Sequence, residues 1–245
     1  MIEPLASTIS LRQAEQQTWD ALIVGAGIAG SIAAKGLADQ GLRTLVIERG
    51  TLPRDKVCGA CLNEAAISGL IAAGVWDSIA LLGGHDLNRY DIRSETRQAR
   101  LRLPGGHAVS RYAMDLVLAR RAIESGAQYC FGTSCRVLPP DSDSTETTET
   151  RSVETATGQN VSACVVIAAS GLATRCTSEA AESEMVIDPG SRIGLGARWR
   201  PIPAEETDVH PGVIYMTVAS TGSVGVVVTE DGMINLAAAV DAGAV

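Results

Sequence analysis

Residues 20–48 constrain this chain more than any other stretch, because they spell strand, glycine turn, helix, strand and terminal acid in that order. Residues 21–24 (ALIV) form a short apolar run of the kind a parallel strand shows when both faces are buried. Gly25, Gly27 and Gly30 then give G-x-G-x-x-G. The first glycine permits a tight turn, the second lets backbone approach a pyrophosphate, and the third lets helix and sheet pack closely. A helix over 28–40 points its free N–H groups and the positive end of its dipole at that pyrophosphate. Gly41 stops the helix, 43–47 form the second strand, and Glu48 stands at its carboxyl end. A carboxylate about 20 residues past the glycines accepts the hydroxyls of an adenosine ribose and repels a 2′-phosphate. The motif therefore predicts dinucleotide binding.

Composition narrows the partners. The formal net charge is −8 and no basic stripe interrupts it, which argues against nucleic acid. Aromatic residues make up 3% of the chain, too few for a base-stacking platform. The first 20 residues lack the basic and apolar regions of a secretory signal, and no apolar run reaches the length of an integral membrane segment. Six irregularly spaced cysteines predict reduced thiols in a cytoplasmic protein.

Along the chain, residues 1–18 read as a loose lead-in, and 49–56 as a loop broken by Gly50 and Pro53. Asn63 reads as the N-cap of a helix stapled by Leu62 and Ile67 and stopped at Gly74, with a further helical turn over 76–82. Short strands rich in arginine follow over 86–103. A helix over 110–125 carries Met114, Val117, Leu118 and Ala122 on one face. Residues 127–137 read as one strand, 139–151 as a solvated acidic loop, and 152–155 and 160–169 as two strands about a Thr157-Gly158 turn. The second of these is expected to be buried. Four strand-like runs, 192–200, 213–219, 223–229 and 233–240, then make an antiparallel sheet with hairpin turns at 220–222 and 230–232.

Four segments together resemble the FAD-dependent monooxygenase and reductase superfamily, which includes para-hydroxybenzoate hydroxylase-like and geranylgeranyl reductase-like enzymes. They are the glycine turn with Glu48; Arg54-Asp55-Lys56-Val57-Cys58-Gly59; Ser110-Arg111-Tyr112-Ala113-Met114-Asp115-Leu116; and Ala168-Ala169-Ser170-Gly171-Leu172-Ala173-Thr174-Arg175. The resemblance covers residues 19–240, the amino-terminal two-thirds of such a protein. It implies an α/β fold: a Rossmann-like FAD-binding βαβ domain with a β-meander (19–80 and 105–180), and a partial antiparallel-sheet substrate domain (81–104 and 190–245). Ser170 stands where the family carries aspartate. The family's later glycine–aspartate segment has no counterpart before Val245, so the chain is expected to hold an incomplete cofactor site.

The resemblance further implies FAD as cofactor and NAD(P)H as electron donor, acting on a small organic substrate. It assigns cofactor binding to Gly25, Ala26, Gly27, Ile28, Ala29, Gly30, Glu48, Arg49, Cys58, Arg111, Cys135, Ser170 and Gly171. Arg111 would bring a fixed charge to phosphate or flavin; the plainer reading is a surface arginine at a helix start, where the dipole disfavours a cation. Cys58 and Cys61 form C-x-x-C, which suits either a redox dithiol or two ordinary loop thiols; without a second pair it is not a zinc site. No carboxylate pair or histidine is marked as catalytic. Two other classes stay open: a non-catalytic dinucleotide-binding remnant, and an NAD-dependent dehydrogenase.

Overall fold

The computed structural model of the chain describes residues 3–139, 150–171, 176, 187–201 and 208–244. The first elements are α1 (Leu11–Glu15), β1 (Trp19–Val24), α2 (Ile28–Asp39), β2 (Thr44–Glu48), β3 (Cys61–Leu62), α3 (Glu64–Ala72) and α4 (Trp76–Ala80). The middle of the chain supplies β4 (His85–Asp86), β5 (Arg89–Arg93), β6 (Gln98–Arg102), β7 (His107–Ala108) and α5 (Arg111–Glu124). Next come β8 (Gln128–Phe131), β9 (Cys135–Val137), β10 (Arg151–Thr155) and β11 (Asn160–Ala168). The last four strands are β12 (Ile193–Trp199), β13 (Val213–Ala219), β14 (Gly222–Val228) and β15 (Ile234–Val240). The fold is α/β, with parallel and antiparallel pairing mixed. Two compact units form: residues up to Arg54 with those from Asp115 to 176, and Asp55–Met114 with 187–244. Residues 55–80 and 105–114, read from sequence with the dinucleotide-binding part, share the second unit.

The first unit is built on a sheet of order β8-β2-β1-β11-β10-β9. The β1, β2, β8 and β11 strands run parallel, and β9-β10-β11 form the antiparallel meander. Alternation along β1 and β2 explains why β2 is buried throughout and β1 at every position but Asp20. Leu22, Val24, Leu45 and Ile47 pack with Trp19 and Ala14 on one side. Ile23 and Val46 pack on the other side against Ala34 and Ala38 of α2 and Leu116, Ala119 and Ala122 of α5. Successive strand residues point to opposite faces, so a strand with core on both sides shows no polar alternation.

Three expectations are corrected here. The lead-in is not loose: Ser10 and Gln13 form a capping box on α1, and the Thr8 N–H donates to the Tyr129 carbonyl at 2.9 Å. The segment thereby lies along β8, with the Ser7 hydroxyl accepting the Phe131 N–H at 2.9 Å and Trp19 Nε1 donating to the Ala14 carbonyl at 3.0 Å. Residues 127–137 make two strands rather than one, because Gly132 adopts φ +80° and turns the chain between them. Nor is β11 buried along its length; Val165 is 54% exposed. The acidic stretch 140–149 lies outside the described residues.

The second unit carries a sheet of order β12-β15-β14-β13-β5-β6, in which only β13 and β5 pair in parallel. A small sheet, β3-β7-β4, accompanies it. Asn63 caps α3 by accepting the Ala66 N–H at 2.8 Å, and Gly74 takes φ +66° past its end, as the sequence predicts. The arginine-rich hairpin β5–β6 joins this sheet through β13, more than 100 positions on. All six cysteines are free thiols. Among the described residues no helix is long and apolar enough to cross a membrane.

Candidate cofactor site

The glycine turn sits at the carboxyl end of β1, where open α/β sheets bind ligands. Gly25 adopts φ +108°, and a Cβ there would lie 2.5 Å from the Ala169 carbonyl oxygen. A Cβ on Gly30 would lie 1.9 Å from the Gly25 carbonyl oxygen, so the helix can approach the turn only as glycine. Gly27 is the N-cap of α2 and offers no side-chain cap, which leaves the first N–H groups of α2, at Ile28 to Gly30, directed at whatever fills the turn. The Ala169 N–H donates to the Val24 carbonyl at 2.9 Å, so the end of β11 runs beside the turn. Ser170 and Gly171 are thus brought to Gly25 from far along the sequence.

Glu48 closes the site. Its side chain is buried, and one carboxylate oxygen accepts the Ala26 N–H at 2.8 Å and an Arg54 N–H at 3.1 Å. The other oxygen accepts the Gly50 N–H at 2.9 Å. The acid is therefore tied to the glycine turn itself. Arg49, next in sequence, is exposed. Cys135 enters β9 half-buried, and burial, with Cys176 and the Glu48 carboxylate nearby, pushes its thiol up to about 12. Ser170 donates its hydroxyl to the Cys176 sulfur at 3.3 Å. Thr174 and Arg175 lie outside the described residues.

Two assigned residues belong to the second unit. Cys58 is half-buried, and its carbonyl accepts the Asn235 amide at 2.9 Å. Arg111 opens α5, directly after Ser110, whose hydroxyl accepts the Ala113 N–H at 3.1 Å. Within the same unit, Val57 packs where Gly194 and Gly196 leave room on β12, and Asp55 pairs with Arg198 at 3.1 Å. The segment 55–58 is thus fixed to the sheet at three successive places. Burial works against the Arg198 charge, yet the Asp55 hydrogen bond and the Asp231 and Asp55 carboxylates hold that guanidinium above its usual range. Burial, with Cys58 alongside, pushes the Cys61 thiol up to about 12. No group of three or more metal-ligating side chains forms among the described residues.

Sequence reasoning missed Arg54 as the partner of Glu48, and Glu230, whose carboxylate holds Ser110 from 120 positions away. The first had a faint signal, a cation six residues after the acid; the second had none. A recess of about 400 Å³ at the amino ends of the strands, lined by Trp19, Thr44 and Gln128 among others, lies at the opposite strand ends from the glycine turn.

This geometry suits the ADP half of FAD: a glycine cradle that a Cβ would fill, a helix N-terminus, and a buried acid tied to the turn. Comparison with known proteins agrees. The model of the FAD binding domain matches residues 18–234. A menaquinone reductase of Mycobacterium tuberculosis is 33% identical over 132 residues, 50% of this chain and 31% of that protein. A squalene monooxygenase of Panax ginseng is 34% identical over 85 residues, 35% of this chain and 16% of that protein. A geranylgeranyl bacteriochlorophyll reductase-like structure from Thermoplasma acidophilum superposes with TM-score 0.69 at 24% identity, covering 94% of this chain and 58% of that one. A myxobacterial FAD-dependent chondrochloren halogenase gives TM-score 0.69 at 21% identity, covering 93% and 54%. The chain thus spans less than a third of these curated relatives and little more than half of these structures.

Proposed function

The chain belongs to the FAD binding domain family, and from that premise we propose that it is part of an FAD-dependent oxidoreductase acting on a small apolar substrate. The observation that carries this reading is the buried Glu48 carboxylate bonded to the Ala26 N–H inside the glycine turn. In this reading Gly25, Ala26 and Gly27, with the N–H groups of 28–30, hold the pyrophosphate. Glu48 takes the adenosine ribose, and Ser170 and Gly171 lie along the same edge. Bound flavin would supply electron transfer; the residues of this chain bind and orient it.

The reaction we favour is reduction of a carbon–carbon double bond, with NAD(P)H or a protein as electron donor. The 54–59 segment resembles the reductase branch, and the menaquinone reductase is matched over 50% of this chain. Insertion of oxygen is the second reading, favoured by the squalene monooxygenase match. Menaquinone and squalene are both built from isoprene units, so we propose an isoprenoid as the substrate class.

The test is to incubate the purified chain with FAD, remove free cofactor, and record the spectrum. Retained absorbance near roughly 450 nm supports the cofactor assignment. Reduction of the retained flavin by NADPH, followed by reoxidation under nitrogen with an unsaturated isoprenoid quinone, supports the reductase reading. Reoxidation that needs oxygen and yields oxidised squalene supports the second. A colourless protein that binds NADH instead would point to a dehydrogenase.

A further inference from the structure

We infer that the arginine-rich hairpin β5–β6 is a docking surface for the anionic headgroups of a lipid bilayer. The choice of a bilayer rests on the isoprenoid substrate class proposed above. The anionic character of the partner does not; it follows from the hairpin itself.

Residues 89–102 carry five arginines against two acids, in a chain whose net charge is −8. Cross-strand register sets their faces. Arg89 stands opposite Arg102, Asp91 opposite Arg100, and Arg93 opposite Gln98. Residues directly opposite share a face of the sheet, as do alternate residues of one strand. Arg89, Arg93, Arg100 and Arg102 therefore lie on one face, with Asp91 the acid among them. Asp91 is buried and faces two guanidiniums, Arg89 at 3.1 Å and Arg100 at 3.6 Å. Arg93, Arg97 and Arg102 are exposed, and no acid pairs with them among the described residues. Setting Arg89 across from Arg102 costs stability, because like charges opposite one another repel. A fold keeps such a local conflict where function requires it.

Charge on an edge strand also keeps sheets from pairing with one another, and β6 is the edge of its sheet. That accounts for Arg100 and Arg102. It does not account for Arg89 and Arg93, which sit on β5 between β13 and β6, nor for Arg97 in the turn. Acids would guard an edge as well, and this chain has more of them than of bases. The β6 strand is exposed at all five positions, so the hairpin offers an open surface rather than an enclosing pocket. An extended basic surface suits an extended anionic one, and bilayer headgroups attract each arginine held near them. A substrate built of isoprene units is apolar and partitions into the same bilayer. Leu101, 53% exposed, lies on the face opposite the arginines, so the contact is electrostatic and superficial.

The experiment is co-sedimentation of the unaltered chain with vesicles of phosphatidylcholine, alone or with about one-third phosphatidylserine. Each is run in about 0.1 M salt and in about 1 M, where screening shortens from about 10 Å to about 3 Å. We expect binding to the phosphatidylserine vesicles in the lower salt only. Each arginine near the surface changes affinity about fivefold, so Arg93→Gln, Arg97→Gln and Arg102→Gln combined should weaken binding about a hundredfold. A control with Arg12→Gln, Arg120→Gln and Arg136→Gln combined removes the same charge from exposed positions of the first unit. It should bind within about threefold of the unaltered chain. Equal loss in both variants would mean that overall charge governs binding, and the docking surface falls. Binding to phosphatidylcholine alone, or binding that survives the higher salt, overturns it too. Should the hairpin variant fail to fold, Arg97→Glu in the turn should by itself weaken binding about twentyfold, and unchanged binding overturns the inference. Capture on immobilised polyglutamate with no vesicle binding would assign the hairpin to an acidic protein and overturn the bilayer. A chain that binds the vesicles but retains no FAD overturns the cofactor reading and leaves the docking surface standing.

Discussion

Glu230 accepts both the backbone N–H of Ser110, at 2.8 Å, and its hydroxyl, at 2.5 Å. Ser110 in turn caps α5 through the Ala113 N–H. The turn between β14 and β15 thus places a negative charge at the N-terminus of a 14-residue helix, where the dipole favours an anion. Glu230→Ala should lower the unfolding free energy by about 1–3 kcal/mol, since it strands a backbone donor and a hydroxyl. Urea denaturation monitored by circular dichroism measures this, and an unchanged midpoint would show the contact to be idle.

Two glycines of α2 should respond oppositely to alanine. Gly30→Ala places a Cβ 1.9 Å from the Gly25 carbonyl oxygen and 3.3 Å from Ile23, with backbone that cannot yield cheaply. We expect it to cost about 1–3 kcal/mol and to abolish retention of FAD. Gly36→Ala meets nothing within 4 Å on the same helix and should stabilise the protein by up to about 1 kcal/mol. Thermal melts of both variants, with FAD uptake, check the pair.

Glu48→Gln keeps an acceptor for one backbone N–H but removes the charge that Arg54 faces at 3.1 Å. Both the folded chain and its cofactor affinity should suffer: stability by about 1–3 kcal/mol and FAD binding by about tenfold or more. Fluorescence titration with FAD gives the second number directly. Full-strength binding by Glu48→Gln would remove the ribose assignment.

Alkaline solution should destabilise the chain. Burial pushes the Cys61 and Cys135 thiols up to about 12 and the Cys130 thiol up to about 11. The Tyr129 hydroxyl rises to about 12 as well, again through burial, although its bond to Ser31 works the other way. Each group stays protonated in the folded chain at a pH where the unfolded chain has begun to lose the proton. The folded state then binds more protons, so stability is complete below the ordinary thiol value near 9 and falls as pH rises from there towards about 12. Melting temperatures should hold from pH 8 to about 9 and fall from there to pH 10.5, and a flat profile across the whole range would contradict the burial of these groups. By the same reasoning, Cys61 should react with iodoacetamide much more slowly than an unfolded control at pH 8.

The glycine turn, the flanking strands, α2 and Glu48 were all legible in sequence because each rests on a local rule. Positive φ needs glycine, a two-sided strand needs continuous apolar residues, and the acid follows its strand by a fixed spacing. The last three strands were legible for the same reason, the turns that join them being only a few residues long. The lead-in was misread because its order comes from β8: Thr8 bonds to Tyr129, 121 positions away, and its own composition is silent about that.

Sequence by itself therefore determined the glycine turn, its flanking elements and the kind of ligand they suit, since these depend on contacts between near neighbours along the chain. Only the tertiary structure decided who faces whom: Arg54 on Glu48, Ser170 beside Gly25, Glu230 on Ser110, Asn235 on Cys58. A hydrogen bond is directional and acts over about 3 Å, so its partner is set by where the backbone carries each side chain. Spacing in sequence could not name those partners once the chain had turned back on itself.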